Sequence, residues 1–231
     1  MIFKEFNPNE HDCRKIAELI YSVDYRTYIK VFDSKDNAVL AIEKLLYAEK
    51  DSFDMDKCSS IDYKDITNFS IGSKDSIYSK NKFYVIFDDK NPENNSDEII
   101  GILDLVKGQK NTLFKDIKNA IKNLKFLDGV RFSFIYILDY FVLAKTLSND
   151  IYLAEIAIDK SQRGKGMGTN ILKIIIDSAR EKGYKRVVLD AEFNNEGAMK
   201  LYKSLGFKIF NKRSIKLFNK ERGMYNMEYI L

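Results

Sequence analysis

Arg163-Gly164-Lys165-Gly166-Met167-Gly168-Thr169 stands between an alternating run, Ile151 to Ile158, and a helix-periodic run, Ile171 to Lys182. A glycine-rich turn from a strand into a helix aims backbone N–H groups at one point. The helix dipole adds partial positive charge there, so the turn suits an anion such as a pyrophosphate. Side chains at the glycine positions would block close approach, and some of these positions need positive φ. A cofactor carrying a pyrophosphate is the first expectation.

Outward from this turn the chain alternates. Gly183 is placed to end the Thr169–Lys182 helix. A strand over Arg186–Phe193 leads to a helix over Glu196–Ser204. Short strands near Phe207–Phe210 and Met224–Leu231 close the chain. This βαβαβ order predicts parallel pairing through right-handed crossovers.

Upstream, Ile2–Phe6 reads as a first strand, and Ile16, Leu19, Ile20 and Val23 recur at helical spacing. Tyr25–Phe32 is ambiguous, whereas Asp36–Glu49 reads as a helix. Lys50–Asn81 is polar, with loop and short helix mixed. Phe83–Phe87 and Glu98–Val106 read as strands joined by a hairpin loop over Asp88–Asp97. Residues from about 109 to 149 interrupt the strand series with two helical stretches. The expected architecture is α/β: one domain over 1–231, a mixed sheet with helices on both faces, and a helical insertion.

Composition narrows the function. The chain has 231 residues, 45% hydrophobic and 31% charged, with a net charge of +4. Lysines and aspartates are interspersed, which argues against nucleic acid as a partner. One histidine, His11, and two cysteines, Cys13 and Cys58, argue against zinc sites and histidine-dependent triads; no metal is expected. His11 reads as a surface or capping residue and the cysteines as reduced thiols. No signal peptide is visible at Met1–Phe6. The apolar stretch Val130–Leu147 contains Arg131, Asp139 and Lys145, so it reads as a buried or amphipathic helix rather than a membrane span. A cytoplasmic protein with no membrane partner is expected.

Two ordered blocks identify a family. Ile156-Ala157-Ile158 followed by Arg163 to Gly168 resembles the acyl-CoA motif Gln/Arg-x-x-Gly-x-Gly/Ala of GCN5-related N-acetyltransferases (GNAT). Asn195-Glu196-Gly197-Ala198 and Leu201-Tyr202-Lys203-Ser204-Leu205-Gly206-Phe207 resemble that family's Asn-x-x-Ala…Leu-Tyr-x-x-x-Gly-Phe block. A dinucleotide fingerprint or a Walker loop fits the glycine spacing less well, and neither explains the second block. Where many family members carry proline, this chain has Lys160.

The resemblance implies a mostly antiparallel GNAT sheet with a splayed strand pair, acetyl-CoA as cofactor, and transfer of acetyl to a primary amine by direct attack in a ternary complex. The backbone of Arg163, Gly164, Lys165, Gly166, Met167, Gly168 and Thr169 would hold the pyrophosphate. Ile156, Ala157 and Ile158 would pair with the pantetheine arm. Asn195 would hydrogen-bond that arm or cap the following helix. Tyr202 is the general-acid candidate, with packing as its other reading.

Strand alternation predicts Leu153, Glu155 and Ala157 on one face, opposite Tyr152, Ala154, Ile156 and Ile158. Glu155 is the candidate base, or else a carboxylate that binds a cationic substrate. Asp24, Tyr25, Tyr28, Asp190 and Glu192 are acceptor-site candidates, the acceptor being a small-molecule or protein amine. The insertion could cap this cleft or form a homodimer contact. A non-catalytic acyl-CoA-binding or regulatory module is the alternative function.

Overall fold

A computed structural model describes residues 1–48, 82–88, 98–108, 113–217 and 220–231. The polar stretch Lys50–Asn81 with Cys58, and most of the expected hairpin loop before Glu98, lie outside the described residues.

Seven strands form one sheet: β1 (Ile2–Glu5), β2 (Lys82–Phe87), β3 (Ile99–Lys107), β4 (Asp150–Ile158), β5 (Arg186–Glu192), β6 (Lys208–Leu217) and β7 (Lys220–Ile230). Their order is β1-β2-β3-β4-β5-β7-β6, and β4–β5 is the one parallel pair; the rest are antiparallel. The expected parallel pairing therefore holds across the first crossover and fails across the second. β6 returns through a long hairpin, and β7 takes the place beside β5.

Among the described residues, seven α-helices cover both faces: α1 (Cys13–Val23), α2 (Tyr25–Phe32), α3 (Lys35–Ala48), α4 (Leu113–Asn123), α5 (Phe126–Val142), α6 (Met167–Glu181) and α7 (Glu196–Ser204). α6 and α7 pack one face through Ile171, Leu172, Ile175 and Met199, against Leu103, Leu153 and Leu189. The helices α1, α3, α4 and α5 pack the other, where Ile16, Val39, Ala120 and Phe132 meet Val85, Ile102 and Ala157. Strands on both sides of the α4–α5 pair belong to the one sheet, as expected of an insertion.

Local chemistry sets these elements. The Asp12 carboxylate caps α1 by accepting from Lys15 N–H at 3.0 Å, and Asp24 caps α2 by accepting from Thr27 N–H at 3.2 Å. These caps satisfy N–H groups that lack intrahelical partners. The ambiguous Tyr25–Phe32 segment is thus a capped helix, anchored by fully buried Phe32. His11, read as a surface or capping residue, instead accepts from Asn7 N–H at 2.9 Å in the turn before α1, whose cap is Asp12. Gly129 lets α4 and α5 approach: a Cβ there would lie 2.9 Å from the Ile121 Cα.

A bulge shapes the site. Leu105 pairs with Leu153 and Asp104 with Glu155, so Ala154 is an extra residue in β4 with no opposite number in β3. The expected alternation breaks there. Leu153, Ile156 and Ile158 all pack toward α6 and α7. Tyr152, Ala154 and Ala157 pack toward the other face, and Glu155, between Ile156 and the bulge, is turned that way too. The faces assigned to Leu153, Tyr152 and Ala154 relative to Glu155 are therefore corrected, because one inserted residue reverses a period of two.

Candidate active site: a strand fork beneath a glycine turn

β4 and β5 pair only from Asp150/Arg186 to Leu153/Leu189, although β4 runs on to Ile158 and β5 to Glu192. Beyond Leu153, β4 keeps β3 on one side and, among the described residues, has no paired strand on the other. The peptide groups along that edge are left to pair with an extended ligand, as a missing strand would.

The glycine turn stands at the head of this fork. Gly164 and Gly166 have φ of +78° and +77°, conformations that exact a steric cost from any side chain. Gly166 is the N-cap of α6 and carries no side-chain cap bond; the first intrahelical bond runs from Asn170 N–H to the Gly166 carbonyl at 3.1 Å. Donors ahead of Asn170 therefore face outward at the positive end of the dipole. A Cβ on Gly164 or Gly166 would meet nothing within 4 Å, so the loop opens onto free space. Gly168 serves differently: a Cβ there would lie 3.2 Å from the Leu201 side chain, so it lets α6 sit close to α7.

The loop side chains hold the loop itself. Arg163 Nε donates to the Ile158 carbonyl at 3.0 Å, tying the turn to the end of β4. Lys165 Nζ reaches Gln162 Oε1 at 3.0 Å. At the position of Lys160, Asp159 supplies rigidity by accepting from Ser161 N–H at 2.9 Å and from Lys15 Nζ at 2.5 Å. The Lys15 ammonium, then the Ser161 N–H, hold the Asp159 carboxyl down at about 2. Lys15 was not visible as a site residue in the sequence, since its partner lies 144 positions away.

On the α6–α7 side, Tyr202 is buried in the cluster that holds Leu153 and Leu189, the last paired residues of the fork, with Ile156 packed against it. Among the described residues its hydroxyl has no hydrogen-bond partner. Burial, then the charge of Asp190, pushes the phenol up to about 12, so it keeps its proton at any physiological pH. Asn195 accepts from Ala198 N–H at 3.1 Å and so caps α7, the second of its two readings.

On the opposite side an acidic, phenol-rich wall forms. Tyr28 is pushed well above its ordinary value by burial, then by the negative charge of Glu155. Glu192 lies near Asp24, and its carboxyl is raised first by burial and then by the negative charge of Asp24. Arg222 of β7 ties the wall together, reaching Asp24 at 2.8 Å, Asp139 of α5 at 2.7 Å, and Thr27 Oγ1. Arg222 and Asp139 were missed as site residues. The available signal was the carboxylate inside an apolar helix.

The acceptor-site expectation for Asp190 is corrected, and Tyr25 is placed apart from the other candidates. Asp190 accepts from Tyr152 Oη at 2.7 Å, from Ala144 N–H at 3.0 Å and from Asn226 Nδ2, so it joins β4, β5, β7 and the end of α5 rather than facing a substrate. Tyr25 stands half exposed beside Arg26, whose Nε–H it accepts at 3.3 Å, outside the aromatic cluster of Tyr28.

A family model described as "Acetyltransferase (GNAT) family" matches residues 74–207. N-alpha-acetyltransferase 30 of Schizosaccharomyces pombe is 39% identical over 56 residues, 24% of this chain and 37% of that protein. The Homo sapiens protein of the same name is 43% identical over 56 residues, 24% of this chain and 16% of that protein. Human N-acetyltransferase 8B is 38% identical over 58 residues, 25% of this chain and 26% of that protein. The matched stretch is thus well under half the length of these curated relatives. An N-acetyltransferase structure from Staphylococcus aureus Mu50 shares the fold, with a TM-score of 0.58 at 19% identity over 99% of this chain and 100% of that one.

Proposed function

Because the chain belongs to the GNAT family of acetyltransferases, whose cofactor is acetyl-CoA, we propose that it transfers acetyl from acetyl-CoA to a cationic primary amine. The observation that carries this reading is the fork: pairing of β4 and β5 ends at Leu153/Leu189, directly below the outward N–H groups of the Gly166 turn.

The residues fit the cofactor. The amides from Gly164 to Thr169 would hold the pyrophosphate, and the free edge of Glu155–Ile158 would pair with the pantetheine arm. When bound, acetyl-CoA supplies a thioester whose C–S bond breaks as the C–N bond to the amine forms. The Ile156 N–H would polarise the carbonyl, a donor fixed before reaction. Glu155 would take a proton from the ammonium, directly or through water, while Tyr202 donates to the departing sulfur. Two protons leave nitrogen in all. One reaches bulk water through Glu155, and the other restores the phenol. With the cradle on one side of β4 and the acidic wall on the other, donor and acceptor would be held at once, which favours direct attack in a ternary complex.

The acceptor class follows from charge. Asp24, Asp139 and Glu192 gather around the guanidinium of Arg222, with Arg26 nearby and Glu155 and Tyr28 beside them. Such a wall favours a cation. The names of the N-alpha-acetyltransferase relatives make a protein α-amine the first member of an acceptor panel. The test is calorimetric titration with acetyl-CoA together with thiol release across α-amino peptides, polyamines and amino sugars. Turnover with a cationic amine is expected. Binding without turnover on any amine would leave the chain an acyl-CoA-binding module, and no binding would remove the cofactor reading altogether.

A further inference from the structure

The insertion helix α5 carries two apolar faces. Gly129, Phe132, Ile135, Leu138 and Val142 are buried against the body of the protein. Leu127, Val130, Phe134, Ile137 and Phe141 form a second stripe, between 41% and 67% exposed. Their spacing is three, four, three and four residues, the seam period of one helix packed along another. A surface helix needs only one apolar stripe, and a helix that is apolar all round is normally covered on every side. We propose that this outer stripe is a self-association surface, on which α5 of a second copy of this chain packs about a two-fold axis.

Area supports this occupant. With aromatic side chains at 150–250 Å² each, the stripe leaves on the order of 500 Å² exposed, and Phe126 and Tyr140 at its flanks raise this to about 700 Å². That exceeds the ordinary apolar patch of a monomer and approaches the roughly 800 Å² per partner of a stable interface.

Charge selects a second copy over other partners. A two-fold contact sets a patch against itself, so unpaired charges would meet their like. The charges of α5 are already matched within the chain: Arg131 with Asp128 at 3.4 Å and Asp33 at 3.1 Å, and Asp139 with Arg222 at 2.7 Å. The seam is left neutral. A membrane-surface helix would carry lysines and arginines on its polar face, whereas α5 has Arg131 alone.

The test is the mass of the full chain by light scattering and sedimentation from about 0.1 to 100 µM, the range spanning ordinary affinities. A dimer is expected. Ile137→Glu should weaken association at least roughly 100-fold, since each copy would bury an unpaired carboxylate. Equimolar Ile137→Glu and Ile137→Lys chains should restore a mixed dimer, a rescue that misfolding could not produce. A wild-type chain monomeric throughout would overturn the proposal. So would a dimer indifferent to these substitutions, or a monomer that co-sediments with phosphatidylcholine–phosphatidylserine vesicles.

Discussion

Tyr202→Phe removes one oxygen from the candidate site and little else. The phenol hydroxyl has no partner among the described residues, so its loss strands no buried donor or acceptor. The ring contact with Phe207, at 5.9 Å between centroids, survives the change. Stability should therefore shift by less than about 1 kcal/mol, and acetyl-CoA affinity should hold. If the hydroxyl donates to the departing sulfur, kcat should fall by about 10²–10⁴, or roughly 3–5 kcal/mol of barrier. The assay is thiol release under saturating acetyl-CoA, with the melting temperature measured alongside. An activated thioester, whose thiol leaves readily as the anion, should recover most of the loss, because it needs no proton from the enzyme. A variant with undiminished kcat, or an equal deficit with both thioesters, would refute the reasoning.

Glu155→Gln should abolish the acid-side limb of the kcat/KM profile if the carboxylate accepts the ammonium proton; a rise in KM with an unchanged profile would assign it to substrate binding instead. Gly166→Ala forces a side chain into φ of +77° where no neighbour lies within 4 Å. It should cost about 1–2 kcal/mol of stability and weaken acetyl-CoA binding about tenfold by calorimetry; unchanged affinity would remove the turn from the cofactor site. Asp159 sits at about 2 in the fold against an ordinary 3.8, so its contribution is complete above 3.8 and lost as pH falls through 2. Asp159→Asn should therefore cost about 1–2 kcal/mol at neutral pH, discounted for partial exposure. That deficit should vanish toward pH 2 in urea melts, and a deficit constant with pH would contradict the Lys15 pairing.

What the sequence carried well was local. The run from Ile151 to Phe207 holds its strand, turn and helix signals within a few residues of one another, and Gly164, Gly166, Gly183 and Gly206 take positive φ in turns set by their immediate neighbours. Long-range pairing was less legible. The bulge at Ala154 exists only relative to β3, so the side on which Leu153 lies could not be read from β4 alone. Asp139 and Arg222 are 83 positions apart, so a carboxylate inside an apolar helix signalled the need for a partner without naming Arg222 as that partner. Asp190 read as an acceptor-site carboxylate because nothing nearby announces Tyr152 and Asn226 as its donors. The partner of β5 was misjudged for a related reason: β6 follows α7 in sequence, yet the wider pairing of β7 along both β5 and β6 takes the inner place.

The one-residue excess in β4 assigns the two groups proposed to move protons to separate territories. In the proposed reaction Tyr202 would approach the thioester from the face covered by α6 and α7, and Glu155 would approach the amine from the side of Tyr28. Each territory can then change without disturbing the other. Altering α2, α5 or the Arg222 hairpin would exchange one acceptor for another while the acetyl donor and its exit remained as they were.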